Sequence, residues 1–455
     1  MNAAGPVTML DLGDLALPAV WLRDACGCAE CRDPGTGQRL VGSARVARLL
    51  PDLAVERYAV RDGRLTVVFA PDGHESRFEL DWLERNAPGR GTRTGDQSAR
   101  ARVAWTATDL PAGPPRVAWD AYLRSPVAMA TALGAVEKLG AAVITEVPAR
   151  AGLVLAVGRS FGHVRVTNYG ELFDVRVEPD PEHLAYTGLA LAPHTDNPYR
   201  DPVPTVQLLH CLRAAGEGGD TTLVDGFAAA DRLRETDRDA FDTLTQVWLP
   251  FSYDGPTSVL ACRAPVISVD DEGAVTQVRW NDRGLQPPDV TAEKVGAVYR
   301  ALAAFGDILD APELAVSLRL TPGDCLIFDN TRVLHGRSAY RATGPHLAAG
   351  DLGPHLAAGD LGPHLAAGDL GPHLAAGDLG QRTVRGGGRR PAPSDLGERH
   401  LQGCYVDMDG LRSTLAVLRR DGTRSVPTHP GSPGRTAVPR IVATRASGRP
   451  VAVAR

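Results

Sequence analysis

A histidine and an aspartate two residues apart, His194-Thr195-Asp196, lie far upstream of a third metal-type donor, His335, in Asp329-Asn330-Thr331-Arg332-Val333-Leu334-His335-Gly336. Two imidazoles and one carboxylate can hold ferrous iron on one face and leave the opposite positions open for ligands. That chemistry constrains the fold, because two distant stretches of chain must run side by side. In a strand, residues two apart project to the same face, so His194 and Asp196 could grip one ion together. His335 would then come from a second strand nearby in space. The tripeptide alone also arises by chance in many proteins, so its context has to decide.

That context is an ordered series of motifs. It begins with Arg165-Val166-Thr167-Asn168-Tyr169-Gly170, Leu184-Ala185-Tyr186-Thr187, His194-Thr195-Asp196-Asn197-Pro198-Tyr199 and Gln207-Leu208-Leu209-His210-Cys211. It continues with Gly218-Gly219-Asp220-Thr221, Leu334-His335-Gly336-Arg337 and Arg399-His400-Leu401-Gln402-Gly403-Cys404-Tyr405. The set resembles the γ-butyrobetaine and trimethyllysine dioxygenase branch of the TauD/TfdA-like oxygenases, which use Fe(II) and 2-oxoglutarate. The resemblance runs from about residue 15 to 420. It implies a mainly β fold with helices: a double-stranded β-helix (jelly-roll) oxygenase domain preceded by a small zinc-stapled β domain.

At 455 residues the chain is long enough for two domains with full cores. A hydrophobic fraction of 43% and a charged fraction of 23% are those of an ordinary globular protein. A net charge of −5 offers no basic footprint, so nucleic acid is not an expected partner. No apolar run approaches the roughly 20 residues that span a bilayer, so no membrane partner is expected. Met1 to Pro18 lacks a cationic region leading an apolar core and does not read as a secretory signal. Of seven cysteines, three fall within six positions, which suits a metal knot in a reducing compartment better than a disulfide framework. A cytoplasmic homodimer is the expectation.

Residues 1–90 read as an N-terminal zinc-binding domain, 91–115 as a linker and 116–424 as the oxygenase domain. In the first, Ala59 to Ala70 and Ser76 to Leu80 read as β runs joined by the turn Pro71-Asp72-Gly73. In the second, Met129, Leu133, Val136 and Leu139 fall at helical spacing behind the start signal Ser125-Pro126. Short β-rich runs at Ala142–Val147, Val203–Leu212, Thr221–Val224, Val275–Trp280 and Asp324–Phe328 suggest a barrel or sandwich. They are interrupted by a helix with Val295, Val298, Leu302 and Phe305 on one face. Gly-Pro-His-Leu-Ala-Ala-Gly-Asp-Leu occurs four times in succession from 344 to 379, inside a low-complexity insertion at 342–398. Proline at every repeat boundary bars a continuous helix. The repeat reads as a solvated loop, with a metal-binding tract through His346, His355, His364 and His373 as the alternative. Residues 425–455 read as a disordered tail.

Cys26, Cys28 and Cys31, with His74 after the turn, supply three thiolates and one imidazole, the donor set of a closed structural zinc site. Separate free thiols are the alternative, and the resemblance favours zinc. The resemblance also assigns roles within the oxygenase domain. His194, Asp196 and His335 would be catalytic and hold iron, leaving positions for 2-oxoglutarate and O2. Arg399 would pair with the distal carboxylate of 2-oxoglutarate and Thr221 would touch the oxoacid, with Arg337 and Arg341 as rival anchors. Arg399 follows His335 by 64 positions (399 − 335), far more than in the family, and the repeats account for most of the excess. Tyr169, Phe173, Tyr186 and Tyr405 correspond to an aromatic cage for a trimethylammonium group, although any one of them alone could be core. Asn281 resembles an asparagine near the substrate carboxylate. His210, on an apolar run, reads as a core or supporting histidine, and His163 and His183 have no comparable context.

The implied activity is hydroxylation of a small quaternary amine, γ-butyrobetaine to L-carnitine, with ascorbate as an optional reductant. N-trimethyllysine is the nearest rival substrate. A non-catalytic zinc-stapled binding protein, inactivated by the insertion before Arg399, is the rival from another class.

Overall fold

A computed structural model describes residues 8–89, 102–177, 187–340 and 399–423. The chain divides into two compact units, Met1–Ala101 and Arg102–Arg455. The insertion expected at 342–398 and the tail expected at 425–455 lie outside the described residues, as do Tyr186, His183 and Arg341.

In the first unit, β1 (Met9–Leu12) pairs with β2 (Leu15–Pro18). The strands β3 (Ala54–Arg61), β4 (Arg64–Ala70) and β5 (Glu75–Glu79) form an antiparallel sheet in that order. Ala59 to Ala70 is therefore not one strand. Asp62 and Gly63 both have positive φ, 49° and 73°, the two-residue turn geometry that folds a right-twisted hairpin. In β5, buried and exposed residues alternate one for one. Leu65, Val67 and Phe69 of β4 are wholly buried with Leu17 and Leu22 in a small core.

In the second unit a larger sheet contains β6 (Arg116–Ala118), β7 (Ala141–Thr145), β8 (Val164–Arg165), β9 (Phe173–Arg176), β11 (Val206–Arg213), β18 (Cys325–Asp329) and β20 (His400–Val406). Its order is β6-β7-β18-β11-β20-β8, with β9 also on β20. A smaller sheet runs β10 (Leu191–His194), β19 (Val333–Arg337), β12 (Thr221–Asp225), β17 (Ala315–Leu318). Residues of both sheets meet in one apolar cluster, among them Leu209, Leu326, Phe328 and Leu401 from the larger and Leu223, Val316 and Val333 from the smaller. Two mostly antiparallel sheets packed in this way are the expected jelly roll.

Helices cover the outer faces. Pro126–Leu139, capped by Ser125 Oγ, and Met408–Thr423 pack on the larger sheet. The helix Ala292–Leu309 buries Val298, Leu302 and Phe305 against Gly226–Thr236, Arg238–Gln246 and two hairpins. Those hairpins are β13 (Leu249–Gly255) with β14 (Ser258–Ala264), and β15 (Ile267–Val269) with β16 (Val275–Val278).

The linker expected at 91–115 is corrected in its second half. Trp105 is buried in the cluster between the sheets and its indole donates to Leu139 O at 2.6 Å. Arg332, almost wholly buried, donates to both carboxylate oxygens of Asp225 and also to Val103 O. A buried charge needs such a partner, and here the pair binds residues 102–105 into the second unit.

Candidate active site and metal centres

His194 is the last residue of β10 and lies directly opposite His335 of β19 in the antiparallel register. Asp196 is not in the strand with it, as the alternation argument supposed, but in the bend that follows. Side chains and backbone rather than strand geometry fix that bend. Asn330 Oδ1 accepts from Asp196 N at 2.7 Å, and Asn330 Nδ2 donates back to Asp196 O at 3.0 Å. Thr195 N donates to Trp280 O, and Asn281 Nδ2 donates to Thr195 O. The donor atoms of His194, Asp196 and His335 all lie within 4.8 Å of one another.

The protonation states suit a metal. His194 Nδ1 must donate to Ala192 O at 2.8 Å, which leaves the Nε2 lone pair pointing away from the backbone. Burial, then the neighbouring charge of His194, lowers the His335 pKa to about 3, so its imidazole is neutral. Burial opposes the charge of Asp196, but the His194 contact, the two imidazoles and the Tyr405 hydroxyl together hold its carboxyl well below the usual range. A carboxylate beside two imidazoles whose Nε2 atoms face it is a set of electron-pair donors for a metal.

All three residues line one cavity of about 610 Å³, and Thr221, Arg399, Tyr169, Phe173, Asn281 and Tyr405 line it too. Thr221 lies opposite Arg337 in the β12–β19 pair. The two arginines differ in use. Arg337 donates to Thr187 O at 2.7 Å and Leu189 O at 2.8 Å, clasping the chain before β10. Arg399, 5% exposed, makes no hydrogen bond or ion pair with any described residue. Burial and the charge of Arg337 lower its pKa to about 10. Gly219 makes room for it: its φ is +72°, and a Cβ there would meet Arg399 Cδ at 3.0 Å.

Aromatic rings line the cavity in two stacked groups. Phe173 and Tyr405 stack with centroids 5.1 Å apart. Tyr199 stacks on Tyr253 at 5.1 Å, Tyr169 meets Tyr253 edge-on at 6.2 Å, and the Tyr169 and Tyr199 hydroxyls are 3.1 Å apart. Asn281 lines the cavity, and its Nδ2 donates to Thr195 O while its Oδ1 accepts from the Arg283 backbone N–H, so it also helps to build the loop. His210 is wholly buried away from the cavity lining, a core histidine whose pKa burial lowers.

Several cavity residues escaped the sequence reading. Tyr199 was visible in its motif, and Gln207 stood out as the polar residue in an apolar strand. Tyr253, Asp254 and Arg283 carry no local signal and are gathered only by the fold.

In the first unit, His74 Nε2 lies 3.2, 3.6 and 3.5 Å from the sulfurs of Cys26, Cys28 and Cys31. A tetrahedron with Zn–S of about 2.3 Å and Zn–N of about 2.0 Å has S···N edges of about 3.5 Å. The cluster is therefore compatible with a zinc site. Arg23 donates to Cys31 Sγ at 3.2 Å and pairs with Asp72, so a cation stands beside the sulfurs.

Comparison with known proteins agrees with this geometry. Residues 107–349 match the family described as taurine catabolism dioxygenase TauD, TfdA family. Residues 7–84 match the one described as gamma-butyrobetaine hydroxylase-like, N-terminal. The gamma-butyrobetaine dioxygenase of Pongo abelii is 30% identical over 413 residues, covering 89% of this chain and 91% of that protein. That of Pseudomonas sp. (strain AK-1) is 29% identical over 401 residues, covering 88% and 90%. The trimethyllysine dioxygenase of Meyerozyma guilliermondii is 30% identical over 336 residues, covering 70% and 84%. A donor triad that fits iron, beside a buried arginine in a jelly roll, is what such matches lead one to look for, and the chain belongs to the TauD/TfdA family as a 2-oxoglutarate-dependent dioxygenase.

Proposed function

We propose that this dioxygenase hydroxylates a small quaternary amine, converting γ-butyrobetaine to L-carnitine. The observation that carries the reading is the cavity: metal-type donors, a buried guanidinium with no hydrogen bond or ion pair among the described residues and a wall of aromatic rings share one space of about 610 Å³. His194, Asp196 and His335 would hold Fe(II) through the two Nε2 atoms and one carboxylate oxygen. The fit rests on the donor set and on His335 Nδ1, which is buried with no protein partner among the described residues and so leaves the ring's orientation to a ligand at Nε2. Arg399 would take the distal carboxylate of 2-oxoglutarate, since a guanidinium offers a carboxylate two parallel hydrogen bonds. Thr221 would contact the same oxoacid. Bound iron supplies the activation of O2, by which 2-oxoglutarate becomes succinate and CO2 and the second oxygen atom enters the substrate as a hydroxyl.

The chain's own share is geometric. A trimethylammonium group has no hydrogen-bond donor, so aromatic faces recognise it. The group Tyr169, Tyr199 and Tyr253 and the pair Phe173 and Tyr405, all lining the cavity, support that recognition. Holding one methylene near the metal while excluding the rest is the orientation such a pocket provides. Arg283 lines the cavity, is exposed and joins no ion pair among the described residues, so it suits the substrate's carboxylate.

Asp254 lines the same cavity and would favour an α-ammonium group, which makes N-trimethyllysine the second reading. The match to gamma-butyrobetaine dioxygenases over 88–89% of this chain supports the first. The test is an assay of both amines with purified protein, Fe(II) and 2-oxoglutarate, measuring succinate and hydroxylated amine together. Carnitine formed in step with succinate is the expected result. Hydroxylation of trimethyllysine alone would transfer the assignment to the second reading, and no iron-dependent succinate with either would overturn both.

A further inference from the structure

Asp196 is restrained by more than the two histidines. Its Oδ2 accepts a hydrogen bond from Gln207 Nε2 at 2.8 Å and another from the Tyr405 hydroxyl at 3.0 Å. Gln207 and Tyr405 are direct cross-strand partners on β11 and β20, well inside the larger sheet. They are 1% and 3% exposed. Oδ2 lies 3.9 Å from His335 Nε2 but its two donors occupy both its lone pairs, so Oδ1, 3.4 Å from His194 Nε2, is the oxygen left to face an ion.

We infer that Gln207 and Tyr405 are positioning residues that hold Asp196 as a one-oxygen metal ligand. The inference rests on the metal reading proposed above. A carboxylate free to turn could bind an ion through both oxygens and take a position that the oxoacid or O2 needs. Donors on Oδ2 oppose that rotation and draw electron density from the ligand, the outer-shell control found at other metal sites. Their placement on paired, buried strands makes the restraint rigid where Asp196 itself sits in a bend.

Two features separate this role from packing. A carboxylate only accepts, so the Gln207 amide must turn its NH2 toward Asp196, and its Oε1 is left buried without a partner among the described residues. An apolar side chain would fill the same space without that cost, which marks the amide as kept for its donor. The Tyr405 ring already stacks on Phe173, so the hydroxyl is not needed to seat it.

The experiment uses the full chain freed of iron and titrated with Co(II), whose visible absorption reports ligand geometry. Wild type, Tyr405→Phe, Gln207→Leu and the double variant are compared for dissociation constant and band shape. Tyr405→Phe keeps the ring and so isolates the hydroxyl, even if Gln207→Leu folds poorly. His194→Ala, measured alongside, separates this signal from cobalt bound at Cys26, Cys28, Cys31 and His74. Each single variant is expected to weaken Co(II) about tenfold or more and to shift the bands. Wild-type affinity and spectrum in Tyr405→Phe and in any folded Gln207 variant would overturn the clamp. Wild-type cobalt binding that survives His194→Ala undiminished would instead overturn the metal assignment, and the clamp with it.

Discussion

His194 and His335 face each other across the β10–β19 pair, with ring centroids 4.3 Å apart. The register of two strands therefore sets the distance between two candidate metal ligands, and Asp196 is brought to them by Asn330 and the clamp on its Oδ2. Removing one donor should open the metal site without disturbing the sheets. His194→Ala and Asp196→Ala are expected to abolish succinate formation and lower Fe(II) affinity, with thermal unfolding near wild type. Wild-type turnover in either variant would refute the triad.

Arg399 and Arg337 should separate in their effects. Charge-assisted hydrogen bonds are worth about 1.5–3 kcal/mol each, so Arg399→Ala should raise the 2-oxoglutarate KM by about a hundredfold. Gly219→Ala should act in the same direction by crowding Arg399 Cδ. Arg337→Ala releases the carbonyls of Thr187 and Leu189 and should lower the melting temperature first. Steady-state kinetics with a melting curve for each variant distinguishes them.

The aromatic wall should matter to one ligand only. Tyr253→Ala and Tyr169→Ala are expected to weaken the quaternary amine more than tenfold, at about 2 kcal/mol for a desolvated cation–π contact. Binding of 2-oxoglutarate should change little. Equal losses for both ligands in calorimetry would mark these tyrosines as core.

Zinc at the first unit should be structural. Elemental analysis should find about one zinc per chain, and Cys28→Ser should release it and lower the stability or solubility of the protein. Wild-type protein free of zinc would remove the assignment.

The repeats should be dispensable. His335 is fixed in β19, and Arg399 enters β20, whose register on β11 is continuous from Val206 to Cys211. Loop-closure cost changes slowly with length, so deleting 344–379 should leave both strands paired and activity intact or higher. Loss of activity in a folded deletion variant would show that the repeats take part in the site.

The ordered motifs carried much of the chemistry in plain sight, because the residue types a metal, an oxoacid and a cation require are few. His194, Asp196, His335, Arg399, Thr221 and the Cys3His set could all be chosen before any fold was known. The apolar runs that became β7, β11, β12 and β18 were readable for a similar reason: buried strands need little else. What the chain alone left open was distance. Nothing local says that Asp196 leaves the strand, that the Asn281 amide donates to Thr195 O beside it, or that residues 102–115 pack into the second unit. Arg337 and Arg399 are alike as residues, and only the carbonyls of Thr187 and Leu189 separate the clasp from the candidate anchor. Gln207, Tyr253 and Arg283 reach the cavity from separate segments, by register and packing. The sequence by itself determined which donors and rings the protein carries. The tertiary structure decided which of them meet, because hydrogen bonds and burial depend on positions that distant segments acquire only by folding.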